Sequence, residues 1–147
     1  RAYYEYYPQL SFSTLNEFLQ AGGIEYMYEY NLERHKQYGF DKELTAWQMF
    51  SAVRNAMRAD NYDEFHKLVS TFNESDFISS TRVDRSVGVG VYYMDNGKYL
   101  EAIEIFETLH GLHPESKLPL TRLVEVYEKS DNKKMTRKYK KILEGLG

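Results

Sequence analysis

The sequence contains no cysteine and only three prolines among its 147 residues. The absence of cysteine excludes a disulfide framework, a cysteine-ligated zinc and a thiol nucleophile. No stretch is rich in Gly, Ser or Pro, so no flexible linker between separate domains is predicted.

Long apolar runs are also missing. Every apolar run is far shorter than the about 20 residues that span a bilayer, and Arg1 heads a tyrosine-rich stretch instead of a basic segment followed by an apolar one. We therefore expect neither a membrane span nor a signal peptide, and no membrane partner. Because the chain begins at Arg1 without an initiator Met, we expect a piece of a longer protein or a processed form.

Apolar residues recur at spacings of three and four along most of the chain, which predicts successive amphipathic helices and no sheet. Helix starts are marked by a capping residue followed three positions later by an acid: Thr14 to Glu17, Asn61 to Glu64 and Thr81 to Asp84. Helix ends are marked by glycine or turn-forming pairs: Gly39, Asp60-Asn61, Asn96-Gly97, Gly111 and Asp131-Asn132. The predicted helices are 14–20, 24–38, 44–59, 62–72, 83–95, 99–110, 117–129 and 133–145.

One 34-residue unit, from Val83 to Ser116, has the pattern of a tetratricopeptide repeat. Five of the six marker positions of that repeat match: Val89-Gly90, Tyr93, Ala102, Phe106 and Pro114. Only the leading Trp is missing, with Ser86 in its place. The small residues Gly90 and Ala102 predict a close helix crossing, and the space around it is filled by three larger side chains: Tyr93, Phe106 and Leu109.

Weaker copies of this unit flank it on both sides. Aligning Asn61 to Phe65 on Lys98 to Ala102 gives an earlier unit over 46–82, and it places Val53 under Gly90, Val69 under Phe106 and Phe72 under Leu109. A later unit over 117–147 carries polar Thr136 and Lys140 in place of Ala102 and Phe106, as a terminal cap would.

The predicted fold is therefore all-α, with about eight helices in a tetratricopeptide-like repeat of antiparallel pairs stacked in a right-handed superhelix. Its segments are 1–13, 14–45, 46–82, 83–116 and 117–147. An irregular helical bundle with one accidental match is the alternative.

Short motifs precede the repeats: Tyr3-Tyr4-Glu5-Tyr6-Tyr7-Pro8, then Leu15, Phe18 and Gly22-Gly23, then Tyr38-Gly39-Phe40. In this order they make the chain resemble the C-terminal region of bacterial esterases of the alpha/beta-hydrolase type that carry a short tetratricopeptide tail. The resemblance implies that residues 1–13 include the last helix of a hydrolase domain and that catalysis lies upstream of Arg1. It also implies a bacterial source, with cytoplasm and periplasm both open.

The residues themselves agree that this chain carries no hydrolase centre. A nucleophile elbow needs Gly-x-Ser-x-Gly at a strand-to-helix turn, and no such string occurs. Gly88-Val89-Gly90 lacks the serine and lies inside a predicted helix. We therefore assign no catalytic residue and expect no cofactor.

The first helices of stacked pairs line a concave groove, and their exposed side decides what the groove binds. The predicted groove is apolar with two arginines, and its residues are Trp47, Phe50, Arg54, Met57, Arg58, Val87, Val91 and Met94. Aromatic, Met and Arg side chains favour binding of a protein segment. Helix 24–38 filling the groove is an equally open alternative.

Tyrosine is in excess, at 14 of 147 residues, and tyrosine suits interfaces because its ring buries well while its hydroxyl seeks a partner. The N-terminal aromatic segment is predicted to form such an interface, with a hydrolase domain or with a second copy of the chain: Tyr3, Tyr4, Tyr6, Tyr7 and Phe12. Burial within the chain is the alternative.

Two other functions compete with protein docking. Glu107, His110 and His113 have a spacing that could contribute to a metal site, but solvated residues at a helix end explain them better, so no metal is predicted. A basic last helix could bind nucleic acid, yet 19 Lys and Arg against 22 Asp and Glu, a net charge of −3, argue for a polar cap and no nucleic-acid partner.

The sequence thus predicts a non-catalytic module that docks protein: an upstream hydrolase domain, a second copy in a homodimer, or a peptide segment. A free-standing adaptor with no enzyme attached is the main alternative.

Overall fold

A computed structural model describes residues 23–73 and 77–147 of the chain. Within these ranges it contains eight α-helices and no strand. The helices are α1 (Ile24–Tyr38), α2 (Ala46–Arg58), α3 (Tyr62–Asn73), α4 (Phe77–Ser80), α5 (Val83–Asp95), α6 (Tyr99–Leu112), α7 (Lys117–Lys129) and α8 (Lys133–Gly145). The predicted all-α fold is therefore confirmed.

The chain divides into two compact units, Arg1–Glu74 and Ser75–Gly147. In the first unit α2 packs against α3. In the second unit α5 packs against α6, α6 against α7 and α7 against α8, and α5 also contacts α7. We call α2 with α3 the first hairpin, α5 with α6 the second and α7 with α8 the third.

A buried polar network attaches α1 to the first hairpin. Thr45 caps α2 by accepting a hydrogen bond from the Gln48 amide, and the Gln48 side chain accepts one from the Thr45 amide in return. The same Gln48 side chain exchanges two hydrogen bonds with buried Asn31 of α1, at 2.9 and 3.0 Å. The side-chain amides of Asn31 and Gln48 satisfy each other's hydrogen-bonding groups. Both side chains can therefore be buried without the cost of an unpaired polar group.

The short helix α4 was not predicted, and a small residue positions it. Ser86 of α5, where the repeat pattern has Trp, is fully buried. Its hydroxyl bonds the Thr81 hydroxyl and lies 3.2 Å from the carbonyl oxygen of Ile78. Phe77 of α4 is fully buried as well. A small residue at 86 thus lets the backbone of α4 approach α5 to hydrogen-bonding distance.

The three hairpins have matching helix boundaries. Helix α5 begins and ends 37 residues after α2, and α7 begins and ends 34 residues after α5. The same shifts relate the first residues of α3, α6 and α8, which are Tyr62, Tyr99 and Lys133. The first shift is longer because the linking segment before α5 holds α4.

The turns inside the hairpins also match. Each has one residue with positive φ at the equivalent position: Asp60 at 52°, Gly97 at 75° and Asp131 at 57°. The amide that follows each of them bonds a carbonyl five residues earlier, from Asn61 to Ala56, Lys98 to Tyr93 and Asn132 to Tyr127, at 2.9 to 3.0 Å. This is the left-handed helix ending that satisfies otherwise unpaired carbonyls.

Four predicted helices, 24–38, 83–95, 117–129 and 133–145, coincide with α1, α5, α7 and α8, and predicted helix 14–20 lies outside the described residues. The stop at Gly111 is wrong, because α6 runs on to Leu112. The cap at Thr81 is also wrong. Helix α5 begins after Arg82, and the Thr81 hydroxyl bonds Ser86 instead of the amide of Asp84.

Within 23–73 and 77–147, no helix combines the length and the apolar character that crossing a bilayer requires.

Candidate functional site

The residues predicted to pack the central repeat meet at the crossing of α5 and α6. A Cβ atom on Gly90 would lie 2.8 Å from Cζ and 2.9 Å from Cδ1 of Phe106, closer than side-chain atoms pack. Ala102, Phe106 and Leu109 are fully buried, and Tyr93 is buried to 2% exposure. The Phe106 ring therefore lies directly on the backbone of α5, where only glycine leaves room for it. Pro114 lies exposed in the turn after α6.

The predicted groove residues fall in both compact units. Trp47, Phe50, Arg54, Met57 and Arg58 belong to α2, while Val87, Val91 and Met94 belong to α5. Three of them are buried in the chain: Phe50 at 9%, Val87 at 5% and Met94 at 3% exposure. The accessible part of the predicted groove is reduced to the half-buried Trp47, Arg54, Met57 and Val91 and the exposed Arg58.

The predicted aromatic interface, with Tyr3, Tyr4, Tyr6, Tyr7 and Phe12, lies outside the described residues.

A cluster of titratable groups joins three helices of the second unit. The Tyr127 hydroxyl of α7 donates a 2.6 Å hydrogen bond to Glu107 of α6. The Tyr127 ring stacks on Tyr139 of α8, with 5.7 Å between ring centroids and 9° between planes. The edge of the Tyr139 ring contacts His110, 6.1 Å away between centroids. These contacts hold α6, α7 and α8 together around one carboxylate.

Burial and the nearby Glu107 carboxylate raise the pKa values of both phenols in this cluster. For Tyr127 burial is the largest cause, followed by its hydrogen bond to Glu107. For Tyr139 the causes are burial and then the charge of Glu107. Both rings are therefore held neutral at any physiological pH, so the cluster is a structural support and offers no proton near neutrality.

The three residues considered for a metal site are used differently. Glu107 accepts the hydrogen bond from Tyr127. The His110 ring lies against Tyr139, and its buried Nδ1 atom makes no hydrogen bond to any described residue. In the part of the chain that the structure describes, no three His, Asp or Glu side chains lie together in an arrangement that could hold a metal ion.

A crevice of about 340 Å³ opens between α7 and α8 beside the third turn. Its lining residues are Tyr127, Glu128, Asp131, Asn132, Lys133, Thr136, Arg137 and Lys140. Three of them are cations four and three residues apart on α8, and this spacing puts them on one face of the helix. We call Lys133, Arg137 and Lys140 the crevice row.

The crevice row is accessible, and two of its members have no ionic partner in the described part of the chain. All three side chains are exposed. Lys140 reaches Glu128 at 4.0 Å, the limit of an ion pair. Within the described ranges, Lys133 and Arg137 pair with no carboxylate. The other cations of α8, Lys134, Lys138 and Lys141, are exposed and do not line the crevice.

Sequence reasoning grouped all these basic residues as one cap and missed their division into two rows. The signal was available, since positions 133, 137 and 140 share a helix face while 134, 138 and 141 share another. What the sequence did not contain was the position of α7 relative to α8, which decides which row faces a cavity.

No protein-family model matches this sequence, and no curated protein is significantly similar to it.

Proposed function

We propose that this chain is a non-catalytic protein-docking module built from tetratricopeptide-like helix hairpins. The observation that carries the proposal is the repetition of the hairpin three times: the first helices have matching bounds, the second helices have matching starts, and each turn has a residue of positive φ at the equivalent position. Repeated hairpins form extended surfaces whose side chains can vary without loss of the scaffold, and such surfaces typically bind other polypeptides.

The side chains left accessible on the first helices support this role. Trp47, Met57 and the two arginines of α2 are of the types enriched at the centres of protein interfaces. In this proposal these four side chains of α2 contact the docked polypeptide. Such a surface could mediate dimerisation of the parent protein, cover an active site of the parent protein or recruit a partner.

Attachment to an alpha/beta-hydrolase is part of the proposal. It is supported only by the linking motifs before the repeats, Tyr3 to Pro8, Gly22-Gly23 and Tyr38 to Phe40. Reading the coding sequence upstream of Arg1 tests it. A histidine a short distance upstream, preceded by a nucleophile elbow, would support the attachment, and an open reading frame without them would leave a free-standing adaptor.

Selection from a library of random peptides tests the docking function. Enriched peptides are synthesised and titrated into the full chain by calorimetry. We expect single-site binding with a Kd of about 100 µM or tighter. If no enriched peptide gives a measurable heat, the docking function is wrong.

A matched pair of variants tests the use of α2. Arg58→Glu reverses a charge in the predicted groove, and Lys67→Glu makes the same change at an exposed position of α3. We expect the selected peptides to lose affinity for the Arg58→Glu variant and to bind the Lys67→Glu variant as before. Equal loss in both would show that docking does not depend on the predicted groove.

A further inference from the structure

We infer that the crevice between α7 and α8 binds an acidic segment of a protein partner. The crevice row, Lys133, Arg137 and Lys140, contacts carboxylates of that segment. This inference rests on the proposed docking function. Neither the groove prediction nor the comparisons assign any role to this crevice.

The charge of α8 supports an anionic occupant. This helix carries six cations, Lys133, Lys134, Arg137, Lys138, Lys140 and Lys141, against the one carboxylate of Glu144, in a chain whose net charge is −3. Positive charge is thus concentrated on one helix. Two cations of the crevice row pair with no carboxylate among the described residues, so a docked carboxylate would not have to displace an ion pair seen there.

The spacing of the row matches an extended peptide. A helix rises about 1.5 Å per residue, so Lys133 and Arg137 are about 6 Å apart along its axis and Lys133 and Lys140 about 10 Å apart. In an extended chain, side chains on one face recur about every 6.7 Å. A segment with acidic residues at alternate positions can therefore place successive carboxylates along the row.

The lining favours a peptide over a nucleic acid. Glu128 and Asp131 also line the crevice, and they can accept hydrogen bonds from the N–H groups of a peptide backbone, whereas a phosphate backbone has no such donors. The Asn132 side chain can donate a hydrogen bond to a peptide carbonyl, and the Thr136 hydroxyl, which donates to the Asn132 carbonyl, can still accept one.

The described lining residues offer no exposed aromatic ring for stacking on bases either. Tyr127 is the one aromatic residue among them, and its ring is buried to 7% exposure against Tyr139 while its hydroxyl is bonded to Glu107. Single-stranded nucleic acids are held mainly by stacking on exposed aromatic rings together with backbone contacts. This crevice offers only the charges.

The test uses the full chain and a labelled short peptide with Glu at alternate positions and Ser between them, measured by fluorescence anisotropy at low salt. One variant changes the crevice row by Lys133→Gln, Arg137→Gln and Lys140→Gln. The matched control changes the other row of the same helix by Lys134→Gln, Lys138→Gln and Lys141→Gln. Both variants lose three positive charges, so they have the same net charge, and circular dichroism melting verifies that both are folded.

We expect the crevice variant to bind the peptide about tenfold more weakly than the unchanged chain, and the control variant to lose less than about threefold. A charge-reversed variant, Lys133→Glu with Arg137→Glu and Lys140→Glu, is expected to bind the corresponding Lys and Ser peptide instead. This reversal separates a specific contact from a loss of folding.

Three results would overturn the inference. The first is that the unchanged chain fails to bind the acidic peptide. The second is that the two variants lose equal affinity, which would mean general attraction to a basic helix. The third is that a single-stranded oligonucleotide binds more tightly than the peptide and loses affinity in the crevice variant. If peptides selected from the random library still bind in any of these cases, the docking function stands and only this site is wrong.

Discussion

The first hairpin and the second hairpin begin their helices at equivalent positions but carry different residues at the positions where Gly90 and Phe106 cross in the second. In the second hairpin Gly90 lies under the large ring of Phe106, whereas the equivalent positions of the first hairpin, by the shift of 37, are Val53 and Val69. All of these positions are buried. The two pairs have similar combined volumes, so we expect one crossing geometry to accept either a glycine with a phenylalanine or two valines.

The two units also differ in how they attach the helix that precedes the hairpin. In the first unit α1 is held to α2 by the paired amides of Asn31 and Gln48. In the second unit the short α4 is held by buried Phe77 and by the small Ser86. The hairpin is thus the constant part of the molecule, and the preceding helix is fixed by local chemistry.

The largest effect is expected when the second hairpin is given one residue of the first. Gly90→Val places side-chain atoms inside the Phe106 ring, and we expect a loss of about 3 kcal/mol in the free energy of unfolding. Gly88→Val on the same helix is the control, because nothing lies within 4 Å of a Cβ at that position. Urea denaturation followed by circular dichroism measures both.

The double variant Gly90→Val with Phe106→Val reproduces the first hairpin's pair and is expected to recover more than half of that loss. If it is no more stable than Gly90→Val alone, the two crossings are not equivalent and the shift of 37 has no structural meaning.

The next effect concerns the amide pair of the first unit. Asn31→Leu removes the side chain that pairs with the buried side-chain amide of Gln48. We expect the free energy of unfolding, measured by thermal or urea denaturation, to fall by about 2 kcal/mol. Adding Gln48→Met removes the unpaired group, so the double variant should regain part of this loss. A single variant as stable as the unchanged chain would contradict the role given to the network.

Alkaline pH tests the cluster in the second unit. A tyrosine whose pKa is raised on folding stabilises the folded state fully below its ordinary pKa of 10.0 and loses this contribution as the pH rises above it. We therefore expect the melting temperature to fall above pH 10.0 and the fall to be shallower in a Tyr127→Phe, Tyr139→Phe variant. Tyr99→Phe, which removes a phenol outside the cluster, is the control. If the melting temperature falls equally above pH 10.0 in the unchanged chain, the double variant and Tyr99→Phe, the cluster does not contribute to the pH dependence of stability.

The smallest effect is expected at the turns. Gly97→Asp gives the second hairpin the turn residue of the other two, and it should cost about 1 kcal/mol because an L-residue is strained at positive φ. Asp131→Gly should stabilise the third turn by a similar or smaller amount. Urea denaturation measures the change in the free energy of unfolding for each variant. Changes of opposite sign support the equivalence of the turns, and changes of the same sign contradict it.

Much of the helical layout could be predicted from the sequence, because it depends on local signals. The periodic apolar positions and the turn pairs at Asp60-Asn61, Asn96-Gly97 and Asp131-Asn132 are sufficient to place the hairpins. The four-residue α4 is too short to show a period, and its position depends on contacts of Ser86. Gly111 was a poor stop because a glycine one residue before the end of a helix has no need of positive φ.

The candidate site could be predicted less well, because it depends on contacts distant in the chain. The bond between Glu107 and Tyr127 joins residues 20 positions apart and leaves no local pattern. The burial of Phe50, Val87 and Met94 likewise depends on which faces of their helices are covered. The basic residues of α8 were visible, but only the packing of α7 divides them into a row that lines a crevice and a row that does not.

The central claim is that the three hairpins are copies of one unit, and backbone chemical shifts in solution test it most directly, since Cα and Cβ shifts report φ and ψ. We expect helical shifts over 46–58, 83–95 and 117–129, each followed two residues later by a left-handed shift, at Asp60, Gly97 and Asp131. Extended shifts in any of these helices, or a turn in which the equivalent residue lacks positive φ, would contradict it.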